Sequence, residues 1–482
     1  MECSVVSLKK VREIQDFRID AECFRPIHLQ TENLIENTEH QTIGQLSKSV
    51  VNFGAYSLCN YIEFLPQGMP FFVTEDINNN LVDIDNLHFV SKEVHSILHK
   101  SHCKFGQVLL TMAGAYLGQA AVYNFDFDAS SNQAIAKITL KEKAIDPFYL
   151  STFLNCKFGQ SQIARFRTGT GQPNLNLGLI QTIKVPILSG HFQSLIRNIV
   201  LEGISSDGTR RELYSEAEQI LLSEFGLKNW KPMCPLSFTK RFSDTRSADR
   251  IDAEYYQPKY DELREALESL DDHEHLGDLV AIKKCLEPGS EAYQDNGVPF
   301  IRVSNLTRFG ISDDNQQFIS DSLYGRLKVC QPQKGEILLS KDATPGIAYY
   351  LSDAPERMVP SSGILRLRIL DLQKTIPQYL TLVLNSLIVQ KQIERDVGGS
   401  VINHWLVDSI RSCVIPLIGK EMQEEISHKI AQSFRKRKQS RDLLEIAKHG
   451  VEMAIEENQT DAETWIKKNL MFLRMGNPDA RI

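Results

Sequence analysis

Four side chains able to ligate zinc fall close together at His95, His99, His102 and Cys103, the donor types of a structural zinc site. Glu336 and Lys341 match a metal-dependent nuclease in residue type, but a spacing of five puts them on opposite faces of a strand, away from any shared ion. Asp20 with Glu22, and Asp252 with Glu254, are carboxylate pairs of the kind hydrolases use for acid and base. Gly169-Thr-Gly-Gln-Pro-Asn174 approaches a dinucleotide loop, yet Asn174 stands where the last glycine belongs and Pro173 interrupts the helix that should follow. The sequence holds no G-x-x-x-x-G-K-[ST] loop and no Asn/Asp-Pro-Pro-Tyr/Phe tetrad, so neither ATP hydrolysis nor methyl transfer is offered and no cofactor is expected.

The carboxylate pairs open a repeat instead. Arg18-Ile-Asp-Ala-Glu22 recurs as Arg250-Ile-Asp-Ala-Glu254, each followed by aromatic and proline, at a spacing of 232. Gly68-Met-Pro-Phe-Phe72 then matches Gly297-Val-Pro-Phe-Ile301, and Phe105-Gly-Gln-Val-Leu-Leu-Thr111 matches Lys334-Gly-Glu-Ile-Leu-Leu-Ser340, both at 229. Ser130-Ser131 with Ser361-Ser362, Gly171 with Gly399, Val185-Pro186 with Ile415-Pro416 and Gln193 with Gln423 continue in the same order. A fixed period with ordered anchors is a duplication. It also weakens the zinc reading, because the matching positions of the second copy are Tyr324, Lys328, Gln331 and Pro332.

Each copy mixes strand and helix signals and closes in a helical stretch. Gln107–Thr111, Gly335–Leu339, Gly363–Ile369 and Ile183–Ile187 read as strands, and Pro147–Phe158 and Gln378–Arg395 as helices. Met422, Ile426, Ile430 and Phe434 form an apolar stripe that resumes at Leu443, and Phe192, Ile196, Ile199 and Val200 do the same in the first copy. Turn residues at Ser205–Gly208 predict a break in the first helix. The second runs without Gly or Pro over Lys420–Glu456 except for Gly450, on the order of 55 Å at 1.5 Å per residue. The fold class is therefore α/β: two similar globular domains in tandem, each followed by a long helix, with the helices pairing as an antiparallel coiled coil. The expected boundaries are 1–188 for the first globular domain, 189–228 for the first helical spacer, 229–247 for a linker, 248–417 for the second domain, 418–457 for the second spacer and 458–482 for a tail to which the sequence assigns no role.

A chain of 482 residues with 42% hydrophobic and 24% charged residues can bury proper cores, and its net charge of −7 confines any nucleic-acid surface to a local patch. Nine cysteines without a C-x-x-C pair make a poor disulfide framework. With no secretory signal or membrane-length apolar run, a cytoplasmic location is expected.

With duplicated heads, the Arg-Ile-Asp-Ala-Glu openings and the proline-then-glutamine entry to each long helix, the chain resembles the specificity subunit of type I restriction-modification systems over nearly its whole length. The resemblance implies two target-recognition domains, each reading one half of a split site in double-stranded DNA. It also implies helices that set the distance between the halves and bind two modification subunits. Those subunits would bring S-adenosylmethionine and methylate adenine, joined by a translocating endonuclease subunit, while this chain would carry no active site. A recognition subunit of a related system that cleaves on both sides of its target, and a non-catalytic scaffold, are the other readings.

Base edges in the major groove are read by amide, hydroxyl and cationic side chains on loops that can approach them. After the Pro-Phe strand these are Thr74, Asp76 and Asn78 in the first copy and Arg302, Ser304 and Asn305 in the second. After the Leu-Leu strand they are Thr111 and Tyr116, against Lys341, Asp342 and Thr344. A third, glycine-rich loop offers Arg165, Arg167, Thr168, Gln172 and Asn174, against Ser400, Asn403, His404 and Trp405; Tyr56 and the pair Lys283-Lys284 add a fourth segment. From Pro147 to Leu201 there is no acid, while Lys157, Arg165, Arg167, Lys184 and Arg197 supply a local charge of +5 suited to phosphates. The basic run Arg435–Lys438 reads as a solvated helix face or an electrostatic contact with a partner subunit.

Overall fold

The computed structural model describes residues 4–13, 19–54, 60–166, 174–248, 250–270, 272–397 and 403–475. The chain divides into two units, Met1–Thr209 with Lys436–Ile482, and Arg210–Arg435.

In the first unit the apolar run Val108–Thr111 is buried along its whole length, as a central strand requires. It lies between Ala120–Val122 and Ile135–Leu140, and the latter also pairs with Ser47–Val51, every pairing antiparallel. Helix Pro147–Asn155 packs on this sheet. Pro147 takes the first helical position, where its missing N–H has no partner to lose, and the Asp146 carboxylate accepts the Phe148 and Tyr149 N–H groups at 2.9 and 3.3 Å. The Tyr149 hydroxyl donates to the Pro186 carbonyl at 2.9 Å, tying the helix to the short strand Lys184–Pro186. A second sheet sets Met69–Phe72 parallel to Ala129–Ser131, with His88–Val90 and His102–Cys103 on the flanks.

The second unit repeats much of this frame. Its main sheet orders Val280–Lys283, Ile364–Ile369, Glu336–Ser340 and Ala348–Tyr350 as the first unit does. The Tyr379 hydroxyl donates to the Pro416 carbonyl at 2.7 Å, as Tyr149 does to Pro186. Gln423 accepts the Ile376 N–H at 3.0 Å, as Gln193 accepts that of Asp146 at 2.9 Å. Asn385 holds both backbone groups of Ala348, as Asn155 holds those of Ala120. The second sheet has three strands here among the described residues. Where His102–Cys103 pairs with Ala129–Ser131, this copy has Gln331-Pro332, and proline has no N–H to give the ladder.

The long helices are Gly190–Glu224 and Lys420–Glu456, each divided between the two units. In the first unit Gly203 abuts Leu444, where a Cβ would come within 3.1 Å of its side chain. In the second the Ser433 hydroxyl donates to the Arg210 carbonyl at 2.9 Å, and Lys429 meets Glu216 at 2.7 Å. Numbers rise along one helix as they fall along the other, so within each unit the pair is antiparallel. The break expected at Ser205–Gly208 does not occur. One glycine costs about 1 kcal/mol in a helix, and the burial of neighbouring Ser206 and Asp207 shows that packing governs this stretch.

The segment given no role contains a helix, Gln459–Met475, opened by Asn458 accepting the Asp461 N–H at 3.0 Å. Ala462 and Ile466 enter the first unit's core with Phe192, Ile196, Leu444 and Val451. Gly450 makes the room, since a Cβ there would lie 2.5 Å from Ile466 Cδ1. No helix of the described residues is long and apolar enough to cross a membrane.

Candidate nucleic-acid interface

The strand Met69–Phe72 leads into a 3-10 turn, Thr74–Asp76, and Val298–Ile301 into its counterpart Val303–Asn305. One bond closes both. Asp76 accepts the Val73 N–H at 2.7 Å, and Asn305 accepts the Arg302 N–H at 3.1 Å. Burial pushes the Asp76 carboxyl up to about 7, against the pull of that N–H. Asn305 is wholly buried and gives its amide protons to the Ser312 and Asp314 carbonyls at 3.1 and 2.9 Å. Both residues therefore hold the turn. Thr74 is half-buried, Asn78 and Ser304 are exposed, and Arg302 donates to the Asn315 carbonyl at 2.6 Å.

In the next loop Thr111 is buried, donating to the Tyr116 carbonyl and accepting the Gln119 N–H at 2.8 Å. Ser340 makes the same two bonds, to the Thr344 carbonyl at 2.6 Å and from the Ile347 N–H at 2.9 Å. Thr344 and Tyr116 thus contribute backbone to the loop, with the Thr344 side chain exposed and Tyr116 half-buried.

The third loop crosses the second. Asp342 bridges His404 and Ala113 bridges Asn174, with Asn403, His404 and Asn174 exposed. Trp405 is 1% exposed and fills the second core, where Leu175 fills the first. Gly363 joins the crossing to the 3-10 turn, since a Cβ there would meet Val303 at 2.8 Å and Asp342 at 3.4 Å. Lys341, Asp342, Thr344, Asn403 and His404 are therefore gathered at one place beside the turn of Arg302 and Ser304. Lys283 and Lys284 stand apart and exposed, with Lys283 3.8 Å from the buried Glu336. Tyr56, Arg167, Thr168, Gln172 and Ser400 lie outside the described residues.

Among the described residues, each cation of the first copy's basic stretch has an acidic partner. Arg165 is 3% exposed, pairs with Glu32 at 2.9 Å and donates to the Cys23 carbonyl at 2.9 Å. Lys184 meets Glu32 and Glu36, Arg197 meets Asp146 at 3.3 Å, and Lys157 meets Glu456 at 2.6 Å. Glu32, Glu36, Asp146 and Glu456 are the partners sequence reading missed, and all four lie outside the stretch whose charge was counted. The second copy's Arg-Ile-Asp-Ala-Glu opening is likewise structural. Arg250 forks onto Asp252 at 2.8 and 2.9 Å, donates to the Asp396 carbonyl at 2.9 Å and shares the Tyr255 ring with Arg395.

Residues 272–445 match the family model described as "Type I restriction modification DNA specificity domain". The matched stretch holds the second head's crossing loops and about the first two thirds of the second long helix. The specificity subunit of the type I restriction enzyme EcoBI from Escherichia coli is 27% identical over 114 residues, 24% of each chain. The match thus spans about a quarter of that relative's length. A type I S subunit from M. genitalium superposes over 89% of this chain and 95% of its own, at 14% identity and a TM-score of 0.38. The HsdS subunit from Thermoanaerobacter tengcongensis does so over 87% and 97%, at 12% identity and a TM-score of 0.30. Those superpositions are loose, and the assignment rests on the specificity domain itself.

Proposed function

We propose that this chain is the DNA-reading subunit of a type I restriction-modification complex. Each head reads one half of a two-part target in double-stranded DNA, and the paired helices set the gap and dock two modification subunits that carry S-adenosylmethionine and methylate adenine. A translocating endonuclease subunit joins the same assembly. The chain itself positions those partners and performs no chemistry. One observation carries the reading: the specificity domain's hydrogen-bonded frame is present twice, while the side chains at the crossing of its loops differ, Asp342 and His404 against Ala113 and Asn174. A constant frame with changeable tips is what reading two different half-sites requires.

The test is methylome sequencing of a host expressing this chain with its modification subunit, beside the same host lacking this chain. Methyladenine at one motif of two short specified halves around a fixed gap is expected. With the modification subunit shown to be active, the absence of any new motif defeats the reading in favour of a scaffold. Double-stranded breaks on both sides of the motif would instead identify the two-sided cleaving system.

A further inference from the structure

The crossing of the two loops has the same backbone in both heads. The Leu175 N–H donates to the Met112 carbonyl at 2.8 Å, and the Trp405 N–H to the Lys341 carbonyl at 2.8 Å. The residue after the bridge is left-handed in both, Gly114 at φ 81° and Ala343 at φ 58°. Glycine takes that conformation without strain, whereas alanine does so only when held. Here the Ala343 N–H is fixed on the Asn403 carbonyl at 2.9 Å. That bond holds Ala343 in its left-handed conformation.

On that shared backbone the first head presents an amide and the second a coupled ring. His404 Nδ1 lies 2.9 Å from Asp342 Oδ1, and the other carboxylate oxygen takes the Lys341 ammonium. A carboxylate accepts only, so the proton of a neutral imidazole sits on Nδ1 and Nε2 is left as an acceptor. The His404 side chain is 57% exposed, while that of Asp342 is 21% exposed.

We propose that His404 is a specificity-determining residue of the second head, accepting through Nε2 from an exocyclic amine, adenine N6 or cytosine N4, in the major groove. Asp342 and Lys341 are positioning residues: they fix the tautomer and orientation of the ring and do not themselves touch a base. At the matching place in the first head the Asn174 amide both donates and accepts, the pattern that suits the N6 and N7 edge of adenine. The two halves of the target are therefore read at this position by different chemistry. This inference rests on the DNA-reading function proposed above.

The experiment uses the full chain with its modification subunit in the methylome assay. Three variants are compared: H404N, the double variant D342A/H404N that gives the second head the first head's pair, and D342N. The wild-type motif is expected to keep one half intact under all three. In the other half a single base pair should lose discrimination by about tenfold to a hundredfold. D342N should affect that same base pair, because an amide can donate to Nδ1 and so release the tautomer. A merely structural role would lower methylation across the whole motif without changing any base preference. An unchanged motif in H404N, or an equal loss at both halves, overturns the proposal. If the double variant abolishes methylation, H404N alone decides, since it leaves Asp342 in place. If the wild-type chain directs no two-part motif, the DNA-reading function itself fails; if it does and H404N changes nothing, only this inference falls.

Discussion

Lys137 and Arg366 occupy the same place in the two heads, the third residue of the strands Ile135–Leu140 and Ile364–Ile369, and both are buried. Lys137 donates to the Ser131 hydroxyl at 3.0 Å, and burial pushes its ammonium down to about 8, partly resisted by the Cys103 thiol. Arg366 is 3.4 Å from the carboxylate of Glu336, which stands where the first head has Gln107, and it also donates to the Gln331 and Val329 carbonyls. One head holds a cation on a single hydroxyl; the other holds a buried ion pair. The repeat has kept the bonds that build its frame while each head has met its interior charge separately.

Three substitutions test this contrast. Arg366→Met leaves the buried Glu336 with the Gln333 N–H and the more distant Lys283 and Arg368, and should cost about 3–5 kcal/mol. Denaturant unfolding of the variant measures it, and the double variant E336Q/R366M should recover most of the loss. Full stability in R366M alone would show that no ion pair holds this head.

Lys137→Met should act in the opposite sense, stabilising by about 1–3 kcal/mol because a poorly partnered buried charge is removed. Its pH dependence carries a definite sign. With the folded value near 8 and the ordinary value at 10.5, the unfolded chain binds the extra proton between them, so this group makes stability rise from about pH 8 to 10.5. The wild-type curve minus that of K137M should show this rise, and a flat difference would mean that the ammonium is solvated.

The smallest effect belongs to the 3-10 turns. Asp76 titrates near 7 against an ordinary 3.8, so the folded chain holds the extra proton in that window and stability falls as pH climbs from about 4 to 7. Asp76→Asn copies Asn305 and should remove that fall. Thermal melts across pH 4–8 decide it, and equal slopes in variant and wild type would count against a raised value.

Much of the fold was legible because repetition carries long-range information that local propensity lacks. Seven ordered anchors located both heads and both long helices, and the structure returns the same frame at those of them that fall among the described residues. The site was less legible. Thr111, Asn305 and Trp405 are polar-capable residues on the expected loops, yet each is buried and serves the fold. Arg165 looked like part of a basic patch because Glu32, which neutralises it, lies more than a hundred positions earlier in the chain. Charge counted along a segment cannot register partners brought in by folding. The helix Gln459–Met475 escaped notice because its apolar residues bury only two positions fully, Ala462 and Ile466, too few for a clear stripe.

The division of the chain sets an order on its synthesis. The first head's core is incomplete without Leu443, Leu444, Ala447, Val451 and Ile466, whereas Arg210–Arg435 is contiguous. As the chain emerges, the later-made unit can close while the earlier-made one still waits with part of its apolar surface uncovered. The head translated first is thus the last to receive all of its core, and a message interrupted just after residue 435 would spoil that head while leaving its successor's residues whole.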